Sequence, residues 1–126
     1  MRLAIVMIAG LVLPLATPAQ AFSPPLTVDM RLSAIADKEK RIEFAIAQIT
    51  TDKQQARCAK KIAYKESRYN ERSYNKKSGA RGAWQLLWAK PKWSLLKQTH
   101  EAHKYVLHRY DTWCKAYRHH QERNWY

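Results

Sequence analysis

Gly79-Ala80-Arg81-Gly82-Ala83-Trp84-Gln85 holds two of the chain's three glycines, and none follows it. A domain built from hairpins needs glycine at many turns. Here glycine is kept for one stretch, where a positive φ or a close backbone approach is required. That distribution predicts an all-α, single small helical domain with one special loop. Working outward, 70–80 is polar and ends in a turn. Upstream of it, Thr50-Thr51-Asp52 offers capping oxygens for a helix from Lys53 to about Tyr69. Before that, Leu32, Ile35, Ile42, Ala45, Ile46 and Ile49 recur at mostly helical spacing, which predicts one amphipathic helix from Asp29 to about Thr50. Downstream, Pro91 can open a short helix continued by Trp93 to Thr99. His100 to Tyr110 and Thr112 to Arg123 read as two more.

The chain has 126 residues, of which 46% are hydrophobic, enough for one domain with a modest core and too few for a multidomain machine. Three Gly and two Cys exclude a collagen-like chain and a disulfide-dense scaffold. Lys and Arg number 23 against 10 Asp and Glu, a formal charge of +13, so the partner is anionic: nucleic acid, an anionic lipid surface or the acidic polymer of a cell wall.

The start of the chain narrows that choice. Arg2 precedes an apolar run from Leu3 to Leu13, Pro14 breaks it, and Ala19-Gln20-Ala21 closes it with small residues. This pattern predicts a secretory signal peptide over 1–21, cleaved near Ala21, and export to the periplasm or beyond the cell. The run is about half the roughly 20 residues a spanning helix needs, so membrane contact is expected only through this segment. Residues 22–28, with Pro24-Pro25, form an extended leader. Export makes nucleic acid a poor natural partner and raises the wall in rank. It also predicts a Cys58–Cys114 disulfide, since an even pair in an oxidising compartment usually bonds. A zinc site from these Cys with His119 and His120 lacks a short-spaced pair, and neither metal nor cofactor is expected.

One carboxyl stands on the wrong face of its helix. Advancing about 100° per residue, Cys58, Ala59, Ile62, Ala63 and Tyr69 share an arc of roughly 140°. Glu66 falls near its middle. Arg57, Lys60, Lys61, Lys65 and Arg68 occupy the opposite arc, either a solvated face or an anion-attracting one. A carboxylate turned inward must be paired with a buried Arg or a backbone amide, be protonated, or line a cleft. In a cleft with a raised pKa it can act as a general acid at neutral pH.

Glu66-Ser67 closing a helix, then Gly79-Ala80-x-Gly82-x-x-Gln85, resembles the catalytic core of the soluble lytic transglycosylases, relatives of goose-type lysozyme. Tyr105-Val106, Arg109-Tyr110, Ala116-Tyr117 and Asn124-Trp125-Tyr126 resemble the closing pattern of a short phage or bacterial form. The likeness runs from about Cys58 to Tyr126. The sequence departs from the larger family in carrying Ala83-Trp84 for Leu-Met, and Arg118 where longer members have Asn. The resemblance implies a lysozyme-like transglycosylase domain over 29–126 that binds peptidoglycan glycan strands. It implies Glu66 as the single catalytic acid and base, and Ser67, Gln85, Tyr117 and Tyr126 as substrate-binding residues.

Such an enzyme suits one carboxyl. An ordinary glycosidase needs a second Asp or Glu across the bond, and after Glu66 only Glu71, Glu101, Asp111 and Glu122 remain, none in a motif. The implied reaction cleaves the MurNAc–GlcNAc β-1,4 bond and leaves 1,6-anhydro-MurNAc. The alternatives are a hydrolytic lysozyme and a secreted cationic protein that binds wall or nucleic acid by charge and stacking. All five Trp lie from residue 84 onward, and at least three of them are expected in the core.

Overall fold

The computed structural model describes residue 10, residues 12–15 and residues 23–126. The expected signal segment lies, apart from those first five positions, outside the described residues. Residues 23–27 have no regular structure. Five helices follow: α1 (Val28–Ser33), α2 (Lys38–Ala47), α3 (Lys53–Ser67), α4 (Leu95–Tyr110) and α5 (Trp113–Arg123). Among the described residues there is no strand beyond isolated bridges that tie Arg81 to Tyr74 and to Leu86. The fold is the all-α, lysozyme-like domain expected.

The boundaries follow side-chain caps. Asp52 accepts from the backbone N–H groups of Gln54 and Gln55 to start α3, and Thr112 accepts from Lys115 N–H to start α5. Two expected boundaries differ. The helix anticipated from Asp29 to Thr50 is broken into α1 and α2, because Asp37 accepts from Lys40 N–H and opens a new helix. The Arg41 guanidinium reaches back to donate to the Leu32 and Ile35 carbonyls, satisfying the end of α1. Conversely, the two helices anticipated on either side of His100 are one. Ser94 caps α4, and Glu101 bridges the supposed break by pairing with Lys97 and Lys104, which hold its carboxyl down to about 2.

The core is drawn from all five helices, α1 through Leu32, and from the loop between α3 and α4. Ile42 and Ile46 of α2, Ile62 of α3, Val106 of α4 and Trp113 of α5 are all buried around Trp84. The Trp84 and Trp113 rings meet at 5.0 Å between centroids. Each indole N–H is satisfied, by Thr99 Oγ1 and His103 Nδ1 respectively, as burial of a polar atom demands. Trp93 packs at the edge of the core, while Trp88 and Trp125 are exposed.

The long loop has little ladder of its own, and a buried side chain of α4 helps strap it down. Gln98 of α4, 6% exposed, accepts from Ala83 N–H and donates to the Glu71 and Trp93 carbonyls. Gly82 explains the reserved glycine. Its φ is +85°, and a Cβ there would collide with the Gln98 amide, whose Cδ would lie 2.7 Å away. Left-handed strain and a clash with a buried, hydrogen-bonded group act together. Gly82→Ala is therefore expected to cost about 2–4 kcal/mol, read as a lowered urea midpoint at unchanged slope; a loss below about 0.5 kcal/mol would contradict the strap.

Candidate active site

Glu66 is the next-to-last residue of α3. The helix stops there because Arg68 and Tyr69 both take positive φ, 54° and 65°, and Arg68 N–H caps back to the Tyr64 carbonyl. This end of a helix carries the negative pole of its dipole and disfavours a carboxylate. Burial acts in the same direction. Glu66 keeps 18% of its side-chain exposure, and the loss of water around it raises its pKa above the usual carboxylate range, against the opposing pull of a hydrogen bond from His120. Such a group gives up its proton less readily than an exposed carboxyl and still meets solvent.

The partner of Glu66 is neither an Arg nor a backbone amide. His120 of α5 puts Nε2 at 2.7 Å from Glu66 Oε1, and it is the one hydrogen-bonding partner that Glu66 has among the described residues. Trp113, Ala116 and His120 form the buried face of α5 at helical spacing. The packing of α3 against α5, pinned by the Cys58–Cys114 bond with Cα atoms 5.0 Å apart, brings His120 to the carboxyl. With both sulfurs in that bond, the zinc alternative has no thiolate to use.

Behind this pair the glycine-bearing loop is fixed at two consecutive carbonyls. Ser67 Oγ donates toward Ala83 O at 2.8 Å, with Ala63 O at 3.1 Å as the alternative acceptor. Tyr126 Oη donates to Trp84 O at 2.6 Å. The Tyr126 ring also stacks on His120, with centroids 6.3 Å apart and planes 27° apart. Burial, reinforced by the nearby Glu66 charge, pushes the Tyr126 hydroxyl well above its ordinary pKa, so it remains a donor.

Residues 43–111 match a protein-family model, the Transglycosylase SLT domain. The chain belongs to the SLT transglycosylase family. Membership carries, at the level of the family, peptidoglycan-degrading activity of the lytic transglycosylase type and the binding of peptidoglycan. No curated protein and no solved structure matches the chain.

Glu66 and Ser67 of the matched stretch gather with Tyr126 at the junction of α3, the loop and the C-terminal segment. The other two anticipated residues make their contacts elsewhere. Gln85, at φ 49°, turns its amide back to donate to Gly82 O, with Ser73 O farther off at 3.4 Å. Tyr117 lies over the α3 flank, its ring 5.2 Å from Lys61 Nζ, where it lines a cavity of about 240 Å³ with Lys61, Tyr64, Lys65 and Tyr69. The basic face of the SLT domain divides similarly. Arg57, Lys61, Lys65 and Arg68 are exposed, but Lys60 is held by Glu39 and Glu43, both at 2.6 Å. Those acids raise the pKa of its ammonium further above the ordinary lysine range, Glu39 contributing most.

His120 is the residue that the sequence reading placed only in a rejected zinc site. A His four positions after Ala116 on the apolar side of a helix was the available signal, and it carried nothing about a partner 54 residues away.

Proposed function

We propose that this SLT domain is a lytic transglycosylase. It cleaves the MurNAc–GlcNAc β-1,4 bond and leaves a 1,6-anhydro-MurNAc end, with Glu66 as the single catalytic acid and base. The observation that carries the proposal is the half-buried Glu66 carboxyl, its pKa raised by burial, at the exposed end of α3. In the first step the protonated Glu66 gives its proton to the glycosidic oxygen as the C1–O bond breaks, and the N-acetyl oxygen closes on C1. In the second, the Glu66 carboxylate removes the proton of the muramic C6 hydroxyl, whose oxygen attacks C1 and displaces the N-acetyl oxygen. The carboxyl is restored, and no water is consumed.

The other acids support a single-carboxyl mechanism over one with a carboxyl pair. Arg41 grips both oxygens of Glu71, Lys97 and Lys104 hold Glu101, and Lys115 holds Asp111. Hydrolysis by a retaining or inverting route would need a second carboxyl beside the sugar, and Glu39 and Glu43 are likewise taken up by Lys60. Export after cleavage near Ala21 belongs to the same proposal, and the disulfide fits it. Mass spectrometry of peptidoglycan digests tests the chemistry. Products ending in anhydro sugar should be lighter by the mass of one water than hydrolysed ones; reducing ends alone would make this a lysozyme.

The charge of the domain has its own expected result. Arg57, Lys61, Lys65 and Arg68 should gather acidic wall polymer through long-range attraction. Sedimentation with purified sacculi should weaken at least about tenfold between about 0.01 M and 1 M salt, as the screening length falls from about 30 Å to about 3 Å. Equal binding at both would reduce the basic face to solvation.

A further inference from the structure

We infer that His120 is a positioning residue for Glu66: a neutral imidazole whose Nε2–H clamps one carboxyl oxygen, Oε1, and leaves Oε2 as the atom that exchanges the proton with the sugar. The inference rests on the catalytic role proposed above for Glu66. It concerns a residue outside the matched stretch 43–111, on a helix that the match does not reach.

The geometry of the ring selects its tautomer. Nε2 lies 2.7 Å from Glu66 Oε1, while Nδ1 is buried with no hydrogen-bond partner. A buried N–H without an acceptor costs more than a bare nitrogen lone pair, because the N–H forfeits a bond to water that it would otherwise make. The proton therefore belongs on Nε2. Nδ1 faces no protein acceptor, so His120 has no protein group to which it could pass a second proton. What remains is a fixed donor. The ring cannot swing away, since it is 7% exposed, stacked on Tyr126 and carried by the helix that the cystine ties to α3.

A fixed donor does two things for Glu66. It selects which oxygen faces the sugar, and positioned proton transfer depends on that geometry. It also stabilises the carboxylate, countering burial so that the group can let its proton go as well as hold it. The sign for activity follows. Glu66 must start protonated, so activity falls as pH rises through its pKa; loss of a donor to the carboxylate moves that fall to higher pH. The titratable and charged neighbours are few. Tyr126 faces the pair from the C-terminal segment. Tyr105, Tyr110 and Arg109 of α4 lie beyond it, and His119 adjoins on α5, its ring against Trp125 and Tyr110.

The test compares pH–rate profiles for release of anhydro-muropeptides from sacculi by wild type, His120→Phe, His120→Gln and His119→Phe. Phe keeps a ring and removes the donor. It should lower the rate about 10- to 100-fold and move the alkaline limb up by about 1–2 pH units, the size of one hydrogen bond to a charged group. Gln keeps an N–H and should recover most of the rate and the wild-type limb, whereas His119→Phe should leave the limb in place. An unmoved limb in His120→Phe would overturn the inference, however much rate were lost, as would a His120→Gln limb displaced like that of His120→Phe. A second measurement needs no variant. Nitrogen-15 NMR of histidine-labelled wild type should find His120 protonated at Nε2 and bare at Nδ1 at the pH of activity; the opposite tautomer would overturn the clamp. Glu66→Gln separates the two levels. If it cleaves like wild type, the catalytic assignment of Glu66 fails and takes the role of His120 with it. If it is inactive while the His120→Phe limb is unmoved, only the positioning role falls.

Discussion

Glu66→Gln is expected to lower glycan cleavage by more than the roughly 10²–10⁴-fold typical of positioned proton transfer, because in the proposed mechanism the same group serves as acid in one step and base in the next. Gln matches the shape of Glu and can still accept from His120 through its carbonyl, so folding should survive, with stability within about 1 kcal/mol of wild type. Retained helical circular dichroism together with lost muropeptide release is the expected pair of observations. Undiminished cleavage would remove Glu66 from the chemistry. The proposed role needs a carboxyl that changes state twice per turnover, and at 18% exposure Glu66 still meets solvent. An uncompensated charge deeper in the core would remain protonated and serve only the first step.

The second large effect concerns the cystine. Cys58 lies in the first half of α3 and Cys114 in the first turn of α5, and their bond closes a loop with a sequence separation of 56. In the chain-entropy treatment a loop of this size stabilises the native state by about 4 kcal/mol, through the disorder it denies the unfolded chain. For a domain this small that is of the order of the whole margin of stability. Cys58→Ser/Cys114→Ser should therefore lose about 4 kcal/mol in urea unfolding, and reduction of the native protein should do the same. A loss under about 1 kcal/mol would mean that packing of α3 on α5 holds the pair without it. The bond joins the two helices that bring Glu66 and His120 together, so activity should fall at lower urea in the variant than in wild type.

Much of this fold was readable in the chain because its determinants are local. Asp52 and Thr112 announce helix starts, the alternation of Ile62 and Ala63 with lysines announces a buried face, and glycine withheld from every other position of the folded part announces one special loop. The misreadings have local causes too. Asp37 is a cap signal inside what otherwise looks like one apolar period, and the Arg41 side chain that completes the break acts through tertiary contacts. Around His100 the reverse held, since Ser94 was a cap without a periodic break to advertise it. Glu66 was conspicuous as a charge in an apolar arc. His120 was not, because a histidine on a buried face has many ordinary explanations and its partner is set by how two helices cross. Gln85 illustrates the same limit, since a motif fixes its place in the loop while its neighbours decide that the amide turns back to Gly82 O.

Arg68 and Tyr69 stand consecutively in the left-handed region directly after the helical turn that carries Glu66. For residues other than glycine that conformation costs about 1 kcal/mol apiece. A sequence selected for durability alone would have relieved both positions with glycine. Glycine would also have widened the range of directions in which the chain can leave α3. The bulkier residues narrow that exit: the Tyr64 and Tyr69 rings meet at 5.3 Å, and the Arg68 guanidinium lies 4.7 Å from the Tyr64 ring. The molecule thus forgoes some thermodynamic margin in exchange for a stiff boundary where the helix ends, and the cystine supplies margin from elsewhere in the chain.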